Sequence, residues 1–243
     1  VDHLDDLLAP PPARSLGDDI AERLRAAILS GHFEPGERLG EERLAQRMRV
    51  SRGPIRDALA KLERQGLVVI KRNKGAFVAR LTPEDLNELY TLRLAIERLA
   101  VQRACAEHGA NEIAAMQQLV DEIAAHTRAG ISEQLAADLD LRFHDLIYQA
   151  ARHRRLWETW QQLRPQIHIL LLSRNVVDRD FRDLVVSTHQ DLVDAIRDRD
   201  DARAVASLED HLHGSYQRVL ASLTAREQSA ALVGTTALDG EDA

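Results

Sequence analysis

Cysteine is almost absent from this chain: one residue, Cys105, in 243. That excludes an internal disulfide framework and suits a reducing compartment. Cys105 falls in a helical apolar stretch and reads as a buried thiol. Aromatic residues are also scarce, at 4%, while Ala, Leu and Arg are plentiful, a balance that favours helices. No apolar run approaches the ~20 residues that span a bilayer. The acidic opening stretch is unlike a secretory leader. A cytoplasmic protein without membrane contact is expected. The hydrophobic fraction of 44% and charged fraction of 29% are ordinary for a soluble globular chain. The length allows two domains.

The net charge of −7 argues against a nucleic-acid partner only until its distribution is considered. Residues 15–80 hold 14 Lys/Arg against 9 Asp/Glu, a balance of +5, so the rest of the chain carries −12. A basic module joined to an acidic one is what a DNA reader with a separate regulatory domain shows.

The basic module centres on Val50-Ser51-Arg52-Gly53-Pro54-Ile55-Arg56. Ahead of it, Glu41 to Met48 reads as a short helix with Leu44, Ala45 and Met48 on one face. Arg49 and Val50 make a turn. A second helix opens at Ser51, whose hydroxyl is expected to accept an orphan backbone N–H. Pro54 sits in its first turn, where a missing N–H costs little. Ile55, Ala58, Leu59 and Leu62 recur at i, i+3, i+4, i+7 and form its buried face, and Gly66 stops it. Two short strands, Leu67–Lys71 and Ala76–Arg80, flank Arg72-Asn73-Lys74-Gly75. Helix, turn, helix and hairpin make a winged helix-turn-helix.

Arg52 and Arg56 share one exposed face at the front of the second helix, the part such proteins insert into the major groove. Arginine's planar fork matches guanine O6 and N7. Arg47, Arg49, Lys71, Arg72 and Lys74 can reach phosphates. Gly75 lets the wing turn approach a backbone closely. A winged helix serving only protein contacts is the bland alternative, but it has no need of two arginines on the reading face.

The run Ile28-Leu29-Ser30-Gly31, Pro35-Gly36-Glu37-Arg38-Leu39, Leu44-Ala45, Val50 to Leu59, Leu62-Glu63 and Gly66-Leu67 resembles the N-terminal domain of GntR-family transcription regulators, over about Ser15 to Arg80. The resemblance implies contacts with double-stranded DNA from Ser51, Arg52, Gly53, Arg56, Lys74 and Gly75. Family members often carry arginine two positions before Leu44. Here that position is Glu42, with Arg43 one later as the candidate replacement.

Outside this module, residues 1–14, with Pro10 to Pro12, read as a flexible arm. Thr82-Pro83 is a helix start, N-cap then N1. From Pro83 onward no strand pattern appears. Six helices are expected near Pro83–Glu107, Asn111–Ala129, Ser132–Ala151, Arg154–Ser173, Asp180–Arg199 and Asp201–Thr224, with Pro165 kinking the fourth. Short connections imply antiparallel neighbours in a bundle. Residues 227–243 read as a flexible tail. The fold class is therefore mainly α: a winged helix-turn-helix over 15–80 and an all-α antiparallel bundle over 81–226.

Asp140 and His144 are at i, i+4 on the third bundle helix and project from one face. His189 and His211 lie near the apolar stripes of the fifth and sixth helices. Three imidazoles and a carboxylate turned inward would suit a divalent transition metal. From spacing alone, solvated or singly satisfied histidines are the commoner explanation of such a pattern.

Asp140-x-x-x-His144 followed by His189 and His211, together with Arg93-x-x-x-Glu97, resembles the FCD effector domain of the FadR subfamily, in its VanR-like branch. The resemblance implies that Asp140, His144, His189 and His211 bind one ion, with zinc, nickel and manganese all compatible with such ligands. It also implies a small organic-acid effector. Arg93, Arg142 and Arg174 are candidates to pair with its carboxylate. Each can also be read as a surface ion pair, Arg93 with Glu97 at i, i+4.

These readings describe a metabolite-responsive transcription regulator, expected to be a repressor, acting as a homodimer on a palindromic operator. Two rivals use the same residues. A metal-dependent hydrolase would explain the ligands but leave Ser51 to Gly75 without purpose. A regulator with a purely structural ion would sense nothing.

Overall fold

The computed structural model describes residues 15–172 and 179–238, with side chains for 15–172 and 184–225. The chain divides between Arg80 and Leu81 into two compact units.

The first unit begins with α1 (Leu16–Leu29), opened by a reciprocal cap in which Asp18 N–H donates to Ser15 Oγ and Ser15 N–H donates to Asp18 Oδ2. Ile20, Ala21, Leu24 and Ile28 are its buried stripe. Next come β1 (Arg38–Leu39), α2 (Glu41–Met48) and α3 (Arg52–Arg64). Arg49 ends α2 at φ 55°, the left-handed conformation that reverses the chain into α3. Ile55, Ala58, Leu59 and Leu62 are at most 1% exposed, as their spacing requires. Gly17 lets α1 lie close on α3, since a Cβ there would stand 3.1 Å from Asp57 Cβ.

The wing is β2 (Val68–Lys71) and β3 (Gly75–Val78), antiparallel, with Val69 opposite Phe77. Asn73 at φ 61° and Gly75 at φ 96° make its turn. β1 adds a third strand to β3, giving the order β1-β3-β2. The sequence reading has no counterpart for β1, because two residues carry no period.

All regular secondary structure among the described residues of the second unit is helix: α4 (Pro83–Glu107), α5 (Ala110–Ala129), α6 (Glu133–Ala150), α7 (Arg154–Leu171), α8 (Arg179–Arg197) and α9 (Asp201–Leu238). Thr82 caps α4 reciprocally with Asp85, and Pro83 is its first residue. His153 Nδ1 accepts from Leu156 N–H and so caps α7. Pro165 is accommodated inside α7.

α9 runs past Thr224, so much of the stretch expected as a flexible tail is helix. Ala225 to Gln228 and Ala230 to Leu232 are good helix formers, and no proline interrupts the run through the weaker Val233-Gly234-Thr235-Thr236. Residues 1–14 and 239–243 lie outside the described residues.

Phe143, Trp160, Tyr148, Met116 and Ile123 lie at the centre of the bundle, at most 1% exposed. At the far end of α4, the Arg199 guanidinium donates to the carbonyls of Cys105, Ala106 and His108. These are orphan acceptors of a helix C-terminus, and one side chain satisfies three of them. Cys105 is buried, and burial pushes its thiol up to about 11, so it is inert. No helix among the described residues is long and apolar enough to cross a membrane.

Candidate DNA-reading surface and metal centre

The turn at Arg49 sets α3 so that its apolar face meets the core and its front faces out. Arg52 and Arg56 both stand on that front, with side chains 55% and 61% exposed. Each donates to the same atom, Glu41 Oε2 on α2: Arg52 Nη2 at 3.2 Å and Arg56 Nε at 2.7 Å. The hydrogen bond from Arg56 holds the Glu41 carboxyl below its ordinary range, against a smaller opposing push from burial and with further help from Arg52.

Arg43 donates from Nη2 to Glu37 Oε1 at 3.3 Å and to the Arg38 carbonyl at 3.4 Å. Lys74 is exposed beside Gly75 at the wing turn. Arg38, Glu42, Arg43, Arg52 and Lys74 line one groove between α2 and the wing, so Glu42 places a carboxylate among cations there.

Ser51 occupies the N-cap position of α3 in extended conformation, but its hydroxyl makes no capping hydrogen bond. The expected cap is therefore corrected: the helix start is set by backbone conformation, and the exposed hydroxyl is left to other partners. Gly53 is not demanded by the fold. A Cβ there would meet only Ser51 Oγ, at 4.0 Å.

In the bundle, the ligand atoms of Asp140, His144, His189 and His211 all lie within 4.8 Å of one another, and all four residues are buried. They come from α6, α8 and α9. His144 Nε2 is 3.2 Å from His211 Nε2 and 3.8 Å from Asp140 Oδ2. His189 Nε2 is 3.9 Å from Asp140 Oδ1.

Each ring is fixed through its other nitrogen. His144 Nδ1 lies 2.6 Å from Glu97 Oε2. His189 Nδ1 lies 2.5 Å from the Val185 carbonyl, and His211 Nδ1 lies 3.2 Å from Thr188 Oγ1. Outer partners on Nδ1 leave Nε2 of all three rings as the inward ligand, the orientation metal-binding imidazoles take. Phe143 packs edge-on against His189 at 4.6 Å between ring centres and limits its rotation. Burial, reinforced by the neighbouring His189, drives the His211 imidazole well below its ordinary pKa, so it is neutral and able to ligate.

Glu97 is the residue that spacing undervalued. With Arg93 it reads as a surface i, i+4 pair, yet both are buried, and Arg93 Nε donates to Glu97 Oε1 at 2.6 Å. Burial pushes the Glu97 carboxyl up, but Arg93 and His144 together outweigh it and hold it ionised, below the ordinary range. The sequence carries two signals for it: the Arg93-x-x-x-Glu97 spacing shared with the FCD domain, and position, since α4 places the two one turn apart on the stripe that enters the core.

Arg93 Nη2 is 3.9 Å from Asp140 Oδ2. Its guanidinium lies over the Trp160 ring at 5.7 Å. It also lines a pocket with Leu86, Tyr90, Leu171, Ser215 and Tyr216. Arg142 does not join this set. It is half-exposed and makes a two-pronged pair with Glu122 at 2.9 and 3.0 Å. Arg174 lies outside the described residues.

A winged helix-turn-helix with an arginine-bearing reading face, in one chain with a helical unit that gathers four potential ligands, defines a DNA-binding transcriptional regulator. The family models match in the same two places: "Bacterial regulatory proteins, gntR family" over residues 16–78, and "FCD domain" over residues 88–214. The chain belongs to the GntR family, in the division that carries an FCD domain.

It is 31% identical to the uncharacterized HTH-type transcriptional regulator YdhC of Bacillus subtilis, over 60% of this chain and 65% of that one. It is 27% identical to the gluconate operon transcriptional repressor of Bacillus licheniformis, over 76% and 77%. The crystal structure of a GntR protein from Rhodococcus sp. RHA1 matches with a TM-score of 0.72 at 26% identity, covering 86% of this chain and 99% of that one. The family and these relatives are regulators rather than enzymes, so the hydrolase alternative is set aside.

Proposed function

We propose that this regulator is a homodimeric repressor whose helical unit holds one divalent ion on Asp140, His144, His189 and His211 and senses a small organic acid beside it. The observation that carries this is the donor set: one carboxylate and three imidazoles, all buried, with each imidazole fixed by a separate outer partner. A buried cluster of this kind without an ion would leave polar groups facing one another at a cost. Mixed nitrogen and oxygen donors suit zinc, nickel or manganese. Bound there, the ion supplies a Lewis-acid point for an effector carboxylate. Arg93, buried and lining the adjacent pocket, supplies the countercharge.

Ser51, Arg52, Gly53, Arg56, Lys74 and Gly75 are the DNA contacts of this reading, with Arg43 beside them. Two copies related by a two-fold axis would set two reading helices on successive major grooves of a palindromic operator. An effector changes operator affinity only through a difference in its own affinity for the two arrangements. Its action in the cytoplasm follows from the DNA target.

Native mass spectrometry with metal analysis, on chain purified without chelators, tests all three parts together. The expected species is a dimer with one ion per chain, releasing a small acid on activation. A metal-free monomer overturns the proposal.

A further inference from the structure

Glu41 is a carboxylate on the face that should meet a polyanion, and one of its oxygens is shared by the two arginines at the front of α3. Stability does not account for this arrangement. All three side chains are at least a quarter exposed, at 28%, 55% and 61%, and exposed ion pairs contribute little to folding. What the shared oxygen does is restrict two long, flexible side chains to one geometry. It holds Arg56 through Nε, which leaves the two terminal nitrogens of that fork as the pair to offer. It also leaves the front of α3 with a local charge near +1 where two unpaired guanidinium groups would give +2.

Both effects act on selectivity. Attraction to phosphate is independent of sequence and grows with each cation free to reach it. Recognition of a guanine edge depends on a fork arriving in the correct orientation. A preordered fork loses less freedom on binding.

We propose that Glu41 is a positioning residue for base reading. It aims Arg52 and Arg56 at the groove and withholds them from phosphates, so it raises the ratio of specific to non-specific DNA affinity at the expense of total affinity. The proposal rests on the reading of Arg52 and Arg56 as the base contacts.

The test uses the full chain and two duplexes: one recovered by the wild-type protein from a randomised library, and its scrambled version. Glu41→Gln removes the charge and Glu41→Ala removes the acceptor. Each variant should bind the scrambled duplex more tightly than the wild type. The dependence of log affinity on log salt should steepen by about one. The specificity ratio should fall about tenfold. The same substitutions in an Arg56→Ala background should change the ratio less.

An unchanged ratio and salt slope, or an equal loss on both duplexes with a lowered melting temperature, overturns the proposal and reduces Glu41 to a structural residue. Wild-type binding of the selected duplex by both Arg52→Ala and Arg56→Ala overturns the underlying reading, and the proposal with it. That failure is visible without any Glu41 variant.

Discussion

Glu97 Oε2 lies 2.6 Å from His144 Nδ1, and the opposite oxygen of the same carboxylate accepts from Arg93 at 2.6 Å. A fully buried carboxylate thus ties the imidazole of the cluster to the arginine that lines the neighbouring pocket. Such a carboxylate fixes ring orientation and raises the basicity of Nε2. In the proposed reading, an anion drawn to Arg93 would act on the four-residue cluster through this carboxylate.

Glu97→Gln should therefore weaken metal affinity about 10- to 100-fold, measured by titration against a competing chelator. It should also cost about 3 kcal/mol of stability in thermal or urea unfolding, because buried Arg93 loses its nearest countercharge and keeps only Asp140 at 3.9 Å. Glu158→Gln, at the exposed pair with Arg154, should move neither quantity.

Gly53 separates the needs of the fold from those of the target. Its site admits a Cβ, and its backbone is not in the left-handed region. Gly53→Ala should leave the melting temperature unchanged or raise it, since alanine favours a helix over glycine by about 0.5–1 kcal/mol. Affinity for a selected duplex should fall at least about tenfold if DNA backbone packs against this position. Unaltered binding would show that the glycine serves no close approach.

Asp18 gives the winged unit a pH dependence. Lys61, on α3, and Ser15, at the start of α1, hold its carboxyl at about 2, below the ordinary 3.8. The folded value is depressed, so the contribution is complete above about pH 4 and is lost as pH falls from there toward 2. Asp18→Asn should lower the melting temperature of the winged unit at pH 7. The difference from the wild type should shrink as pH falls below about 4 and close only below about pH 2.

Much of the architecture was legible from pattern. The cap at Thr82, the stop at Gly66 and the i, i+3, i+4, i+7 stripe of α3 are local, because each is decided by atoms within a few residues of one another. β1 escaped notice because its two residues gain strand character only by pairing with Phe77 and Ala76 across the sheet. Arg93 is the first effector candidate in the sequence and Arg142 a weaker one, but helical spacing alone does not say which of them is enclosed. Arg142 pairs outward with Glu122 on α5 while Arg93 is enclosed by the bundle, a difference that depends on where neighbouring helices fall.

The sequence by itself determined the helices and the turn that sets Arg52 and Arg56 outward, because helical periodicity assigns each residue a face; it placed Asp140, His144, His189 and His211 near apolar stripes but left an inward and a solvated reading both open. Only the tertiary structure decided that those four meet within 4.8 Å, that Glu97 stands behind His144, and that one oxygen of Glu41 holds both reading arginines. Those contacts join positions on different helices, and their distances follow from how packed helices cross, which no local pattern encodes.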